Sequence, residues 1–207
     1  MKILRIFSMR MIIAASLFTA SYVTQAAVFE VAGVKFDDTT HVANADLKLN
    51  GAGIRYKAIF KVYAAGLYLK EKKTTLPEIL ALAGPKSVKI VMLRDLSNED
   101  FGRGFMTGIQ QNTDKTEKLK LVNQFMRFGE MFASVPELKK GDVMLTEWIP
   151  NIGTIVSLNG KKMGEPYPDV AFYNALLRIW LGEKPVDTSL KKAMLAEIND
   201  DTKNNYR

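Results

Sequence analysis

Arg55 is the residue of this chain best placed to do chemistry. It follows Gly51-Ala52-Gly53-Ile54 and precedes a β-prone run, Ala58 to Leu69, in which Lys61 is the single charged residue. Glycines allow positive φ and close backbone approach. The stretch therefore reads as a glycine-broken turn leading into a central strand with at least one buried face. A guanidinium at the mouth of such a strand is costly to bury unless a carboxylate meets it. That carboxylate belongs either to a ligand or to an internal Asp or Glu, and the residues alone leave both open.

Other chemistries find little support. His41 is the only histidine, the chain has no cysteine, and no HxH or HExxH spacing occurs. Zinc sites and nucleophile–histidine pairs need neighbours that His41 lacks. It reads as a surface-loop residue, and no metal is expected. GxGxxG and Walker loops are absent as well, so no cofactor is expected.

The first residues are not expected to join the fold. Lys2, Arg5 and Arg10 form a basic start, Met11 to Val23 is a short apolar run, and Thr24-Gln25-Ala26 fits a small-x-small cleavage site. Residues 1–26 thus read as a signal peptide for export to the periplasm or beyond. The apolar run is short for a bilayer, and no stable span is expected after cleavage. Loss of three basic residues takes the net charge from +7 to +4. That charge is scattered, a poor footprint for nucleic acid. Without disulfides, residues 27–197 must build one domain on their core alone, and 198–207 reads as a frayed polar tail.

The remaining elements follow from patterning. Val28 to Phe36 alternates around Ala32-Gly33 as a hairpin, and Asp37 to His41 is polar and turn-like. Thr75-Leu76-Pro77-Glu78 is a capping box opening a short helix that Gly84-Pro85 ends. Ser87 to Leu96 is strand-like, with Val88, Ile90, Val91, Met92 and Leu93 too continuous for a half-exposed strand. Ser97 caps a helix to about Gln111 with Phe101, Phe105 and Ile109 on one face. A longer helix follows, with Leu119, Val122, Met126, Phe128, Met131 and Phe132 read as its apolar stripe, ending near Pro136. Val143–Ile149 and Thr154–Leu158 are strands, and Asn159-Gly160 marks a type I′ turn. Pro168-Asp169 starts a helix that Gly182 closes as its C′ residue, and Thr188 to Leu195 is a last short helix. Strands, a helix pair, strands and helices in that order make an α+β fold with helices laid over an antiparallel sheet.

Four segments occur in order: Gly51-Ala-Gly-Ile-Arg55, Lys61-Val-Tyr-Ala-Ala-Gly-Leu-Tyr-Leu69, Gly153-Thr-Ile-Val-Ser-Leu-Asn-Gly160 and Ile179-Trp-Leu-Gly182. Together they resemble the chalcone isomerase-like family, in its exported bacterial branch, from about Gly33 to Leu195. The resemblance implies an open-faced β-sandwich in which helices cover a long sheet and enclose a cleft. Family members include plant chalcone isomerases and plastid fatty-acid binders. In both, the resemblance implies, an arginine after the glycines contacts an anionic group of the ligand, a role that falls to Arg55. In the fatty-acid binders a tyrosine shares the carboxylate, and Tyr63 is the nearest match, with Tyr68 the alternative. If 54–68 is one unbroken strand, Arg55 and Tyr63 share a face and Tyr68 points away. The enzymes' catalytic tyrosine and asparagine align with Phe101 and Gly108, which carry neither hydroxyl nor amide.

These readings predict an exported, non-catalytic protein that binds a carboxylate-bearing apolar ligand such as a fatty acid, with no catalytic residue assigned. The alternatives are a chalcone-type isomerase, and an envelope interaction module without a small ligand that uses Lys70, Lys72 and Lys73. The same lysines also fit a solvated turn.

Overall fold

The computed structural model describes residues 28–135 and 137–197. The segments read as signal peptide and frayed tail lie outside the described residues, as does Pro136.

The chain opens with three short strands, β1 (Val28–Val31), β2 (Val34–Asp37) and β3 (Thr39–Val42). The long hairpin β4 (Ala45–Lys57) and β5 (Phe60–Leu69) comes next, then α1 (Leu76–Ala81), β6 (Lys86–Met92) and the short β7 (Leu96–Ser97). Two helices, α2 (Asn98–Asn112) and α3 (Lys115–Ala133), lead through β8 (Glu137–Leu138) to β9 (Val143–Ile149), β10 (Gly153–Leu158) and β11 (Lys161–Lys162). The last described helices are α4 (Val170–Leu181) and α5 (Thr188–Met194). Seven strands form one antiparallel sheet in the order β11-β10-β9-β6-β5-β4-β3.

Both faces of this sheet are covered, which explains the apolar run Val62–Leu69 in β5 and the apolar Val88, Ile90, Val91 and Met92 in β6. Val62, Tyr63, Ala65, Leu67 and Leu69 of β5 pack into the main core with the helices. Ala64 and Tyr68 join a smaller core on the other face, built with Val31, Phe36 and Leu47 beneath the β1–β2 hairpin. The architecture is α+β, a long curled antiparallel sheet with a helical layer on one side.

Local signals in the sequence act where they stand. Thr75 and Ser97 cap α1 and α2 by accepting from the N–H of Glu78 and Asp100, and Asp169 caps α4. Asn159 and Gly160 take φ of 51° and 78°, the paired positive values of a type I′ turn.

Five expectations are corrected. Gly51-Ala52-Gly53 is not a turn; it lies inside β4, next to a bulge that frees Asn50 from the ladder. The glycines provide room instead: a Cβ at Gly51 would stand 2.0 Å from the Ala193 carbonyl oxygen, and one at Gly53 2.6 Å from the Ala193 methyl. Helix α5 rests on that bare strip of strand. The buried Asn50 amide fastens it there by donating to the Met194 carbonyl at 2.7 Å, and also exchanges hydrogen bonds with the backbone of Lys73.

The second correction is that residues 54–68 are not one strand, because the chain reverses between Lys57 and Phe60 with Ala58 at φ 55°. Third, the outer stripe of α3 is misassigned. Leu119, Val122 and Met126 are exposed, whereas Leu121, Phe125, Phe128, Met131 and Phe132 are buried. Helical spacing fits both sets, and only the position of the neighbouring helices selects one. Fourth, Gly182 is not in the left-handed region (φ −69°); a Cβ there would meet the Asn112 side-chain oxygen at 2.3 Å.

Fifth, His41 sits in β3, not in a loop. Its Nδ1 lies 2.8 Å from Asp46, both side chains being exposed. The hydrogen bond to Asp46 raises its pKa above the ordinary 6.5. The charged pair therefore forms below that point and is lost as pH rises through the folded-state pKa. Since His41 is the only histidine, a proton NMR titration reads it directly. The ring is expected to titrate above 6.5, and Asp46→Asn to bring it back towards that value; an unchanged midpoint in the variant would contradict the pairing.

Candidate functional site

The hairpin places Arg55 and Tyr63 directly opposite each other, as cross-strand partners of β4 and β5. Residues so paired share a face of the sheet, here the helix-covered one. The Arg55 guanidinium carbon lies 5.4 Å from the centroid of the Tyr63 ring. Above it runs α2 at Gly104, where a Cβ would approach the two terminal guanidinium nitrogens to 3.5 Å. Arg55 is thus held between an aromatic ring and a glycine of the covering helix.

The Nε of Arg55 is buried without a hydrogen-bond partner. Among the described residues no carboxylate forms an ion pair with it. Asp187 is near enough for its charge to act on Tyr63. Its oxygens accept from the backbone N–H groups of Tyr56 and Leu190 at 2.8 and 3.0 Å, and it makes no ion pair with Arg55. Arg178, also half-buried, shows the contrast: its Nη1 reaches both oxygens of Glu117 at 2.9 and 2.8 Å, tying α4 to α3. The internal-carboxylate alternative for Arg55 therefore has no partner in this geometry.

Tyr63 is fully buried, and its hydroxyl oxygen accepts from the Trp180 indole N–H at 2.9 Å. Burial pushes the hydroxyl pKa up, while the Arg55 charge and the Trp180 hydrogen bond act against the shift. The hydroxyl stays protonated, and with its oxygen already accepting, its own proton remains to be donated. Removing that oxygen would orphan the indole. Tyr63→Phe is expected to lower stability by about 1–3 kcal/mol, read by chemical denaturation. Trp180→Phe also loses core packing, but the double variant is expected to be destabilised by less than the sum of the two changes, because the partners share one bond. Full additivity of the two changes would contradict this.

Below the pair, the space under the sheet is filled by aromatic rings. Phe101 meets Tyr63 edge-on at 6.3 Å, and Phe105 meets Trp180 edge-on at 5.5 Å. Phe101 is fully buried in this cluster. At Gly108, a Cβ would stand 2.9 Å from the Ile179 side chain, so there is no room for an asparagine. Two surface hollows, of about 420 and 700 Å³, lie elsewhere: one beside β1 and β4, the other between the end of α3 and the β10–β11 hairpin. Neither is lined by Arg55 or Tyr63.

A sequence profile described as chalcone isomerase-like matches residues 27–196. The chain belongs to the chalcone isomerase-like family. No curated protein matches it by sequence. Among solved structures it is similar to a fatty-acid-binding protein of Arabidopsis thaliana, with a TM-score of 0.59 at 16% identity, covering 80% of this chain and 93% of that one. At that identity the likeness concerns the chalcone isomerase-like fold.

Tyr68, the alternative to Tyr63, is corrected. Strand alternation turns it to the other face of β5, where its hydroxyl donates to the Asp37 carbonyl at 3.1 Å. Two participants were not singled out from sequence, Gly104 and Trp180. A glycine inside a helix hints at close approach, but nothing local tells which neighbour comes near.

Proposed function

We propose that this chalcone isomerase-like protein is a non-catalytic binder of a small apolar carboxylate, of the fatty-acid class, exported to the periplasm or beyond by residues 1–26. The observation that carries the reading is the half-buried Arg55, with an unpartnered Nε and no ion pair to a carboxylate among the described residues. A ligand carboxylate supplies the missing acceptor in a charge-assisted fork, and the Tyr63 hydroxyl donates a further hydrogen bond. The fatty-acid-binding protein of similar fold supports the ligand class. Phenylalanine at 101 and glycine at 108 support the absence of catalysis, since neither polarises a ketone nor orients a water.

On this reading the tail lies where Phe101 and Phe105 now pack, and binding opens the helical layer. Helix α2 carries Gly102, Gly104 and Gly108, and glycine lowers helix rigidity at each position. The test is a titration with a long-chain fatty acid and with the alcohol of the same chain length, alongside mass spectrometry of material that co-purifies. The acid is expected to bind and the alcohol to bind far more weakly. Equal binding of both, or of neither with no acid co-purifying, would overturn the reading.

A further inference from the structure

The tip of the β4–β5 hairpin projects beyond the site with its apolar side chains in solvent. Ile59 is 85% exposed, Phe60 53% and Tyr56 40%. Lys57, Lys61 and Arg94 surround them, all exposed. Among the described residues none of the three makes an ion pair. Arg94 instead stacks its guanidinium 4.9 Å from the Phe60 ring centroid. The base of the tip is fixed, because the Tyr56 N–H donates to Asp187, the residue that caps α5. An anchored tip with an apolar end and a cationic collar is not a solvated turn.

We propose that this tip docks the protein on an anionic phospholipid surface, with Ile59 and Phe60 entering the interface and Lys57, Lys61 and Arg94 meeting the headgroup phosphates. Apolar insertion beside basic side chains is the combination that binds anionic interfaces. Charge argues against a second copy as the occupant, since two such tips face to face would bring like charges together. Strand geometry adds a consequence. At about 3.3 Å per residue, Ile59 lies about 10 Å beyond Arg55 along the hairpin. With the tip at the upper acyl region, Arg55 stands at headgroup level, the depth at which a membrane-borne fatty acid holds its carboxylate. The docking inference itself rests on the tip residues and not on the ligand reading.

The test uses the protein as isolated from its cells, in flotation with vesicles of phosphatidylcholine alone or mixed with phosphatidylglycerol. Binding is expected only to the anionic vesicles and to weaken with salt. Ile59→Asp with Phe60→Asp is expected to cut partitioning about tenfold or more. Lys57→Glu with Lys61→Glu is expected to abolish the preference for phosphatidylglycerol. Leu119→Asp with Met126→Asp, on the exposed stripe of α3, is expected to change nothing. In Ile59→Trp, brominated phosphatidylglycerol is expected to quench the fluorescence of the introduced indole, which places the tip itself in the lipid.

Tip variants are expected to keep the preference for acid over alcohol in vesicle-free titration, so failure of docking and failure of the ligand reading are separable. Unaltered partitioning of the Asp variants, or an Ile59→Trp protein whose added fluorescence escapes quenching, would overturn the proposal. So would a concentration-dependent dimer that the Asp variants dissolve, which would give the tip to a second copy.

Discussion

Arg55→Ala is expected to abolish the preference for a fatty acid over its alcohol while leaving the protein as stable as before. A bidentate charge-assisted contact contributes about 2–3 kcal/mol, so acid affinity falls about 30- to 150-fold and alcohol affinity stays level. Arg55→Lys keeps the charge but not the planar fork, and is expected to fall between the two. The stability expectation comes from the geometry. Arg55 gives up no ion pair, its Nε is buried without a partner, and what the truncation removes is its contact with Tyr63: the stacking on the ring at 5.4 Å and the interaction of the guanidinium with the hydroxyl. Losing about 0.5–1 kcal/mol of cation–π attraction is offset by relief of a desolvated, unpaired group. Arg178→Ala is the internal comparison. It leaves Glu117 half-buried without its partner and is expected to lower the melting temperature without touching acid preference. A sharp fall in melting temperature for Arg55→Ala, with acid binding intact, would make Arg55 a structural residue and end the ligand reading.

Gly51→Ala is expected to be among the most damaging single methyl additions in the fold. The new Cβ would stand 2.0 Å from the Ala193 carbonyl oxygen and 3.1 Å from that of Met194. These are backbone atoms of α5 and cannot rotate aside. Relieving the contact means lifting the helix from β4, which also strains the Asn50 hydrogen bond to Met194 at 2.7 Å. Overpacking of this kind costs about 3 kcal/mol or more, a fall in melting temperature of about 6–12 °C for a domain of this size. Gly129→Ala is the counterpart. Gly129 is helical and has nothing within 4 Å of a Cβ, so the change is expected to stabilise by about 0.5–1 kcal/mol through helix propensity. Calorimetry of the two variants reads both signs. A Gly51→Ala protein that melts within a degree of the original would show that α5 is not seated on the glycines.

Residue order carried much of the architecture, because several signals act over a few residues. Thr75, Ser97 and Asp169 cap whatever helix follows them, and Asn159-Gly160 suits positive φ wherever it stands. The apolar run 62–69 pointed to a central strand with at least one buried face, and Val88, Ile90, Val91 and Met92 to a strand that is not half-exposed. The ordered motifs pointed to the family, and with it to Tyr63 beside an Arg55 already singled out by its own neighbours. What local order left undecided was every question of which neighbour comes near. Leu119, Val122 and Met126 have the spacing of a core stripe, yet the core took the set containing Leu121, Phe125 and Phe128, since α2 and α4 lie on that side. Gly51 and Gly53 read as a turn because local rules associate glycine with positive φ; in fact α5, about 140 residues later, needs their missing Cβ atoms.

The same division runs through the site. Sequence alone determined that an arginine stands among glycines and apolar residues with two tyrosines downstream, and strand alternation alone required that those tyrosines face opposite ways. Only the tertiary structure decided that the chain reverses at Ala58, setting Arg55 across from Tyr63, and that Trp180 occupies the Tyr63 oxygen. It also decided that no described carboxylate reaches the guanidinium. The physical reason is range. Capping, turn and alternation preferences are fixed by a residue and its immediate neighbours, whereas the pairing of a buried charge depends on groups brought together by chain segments far apart in sequence.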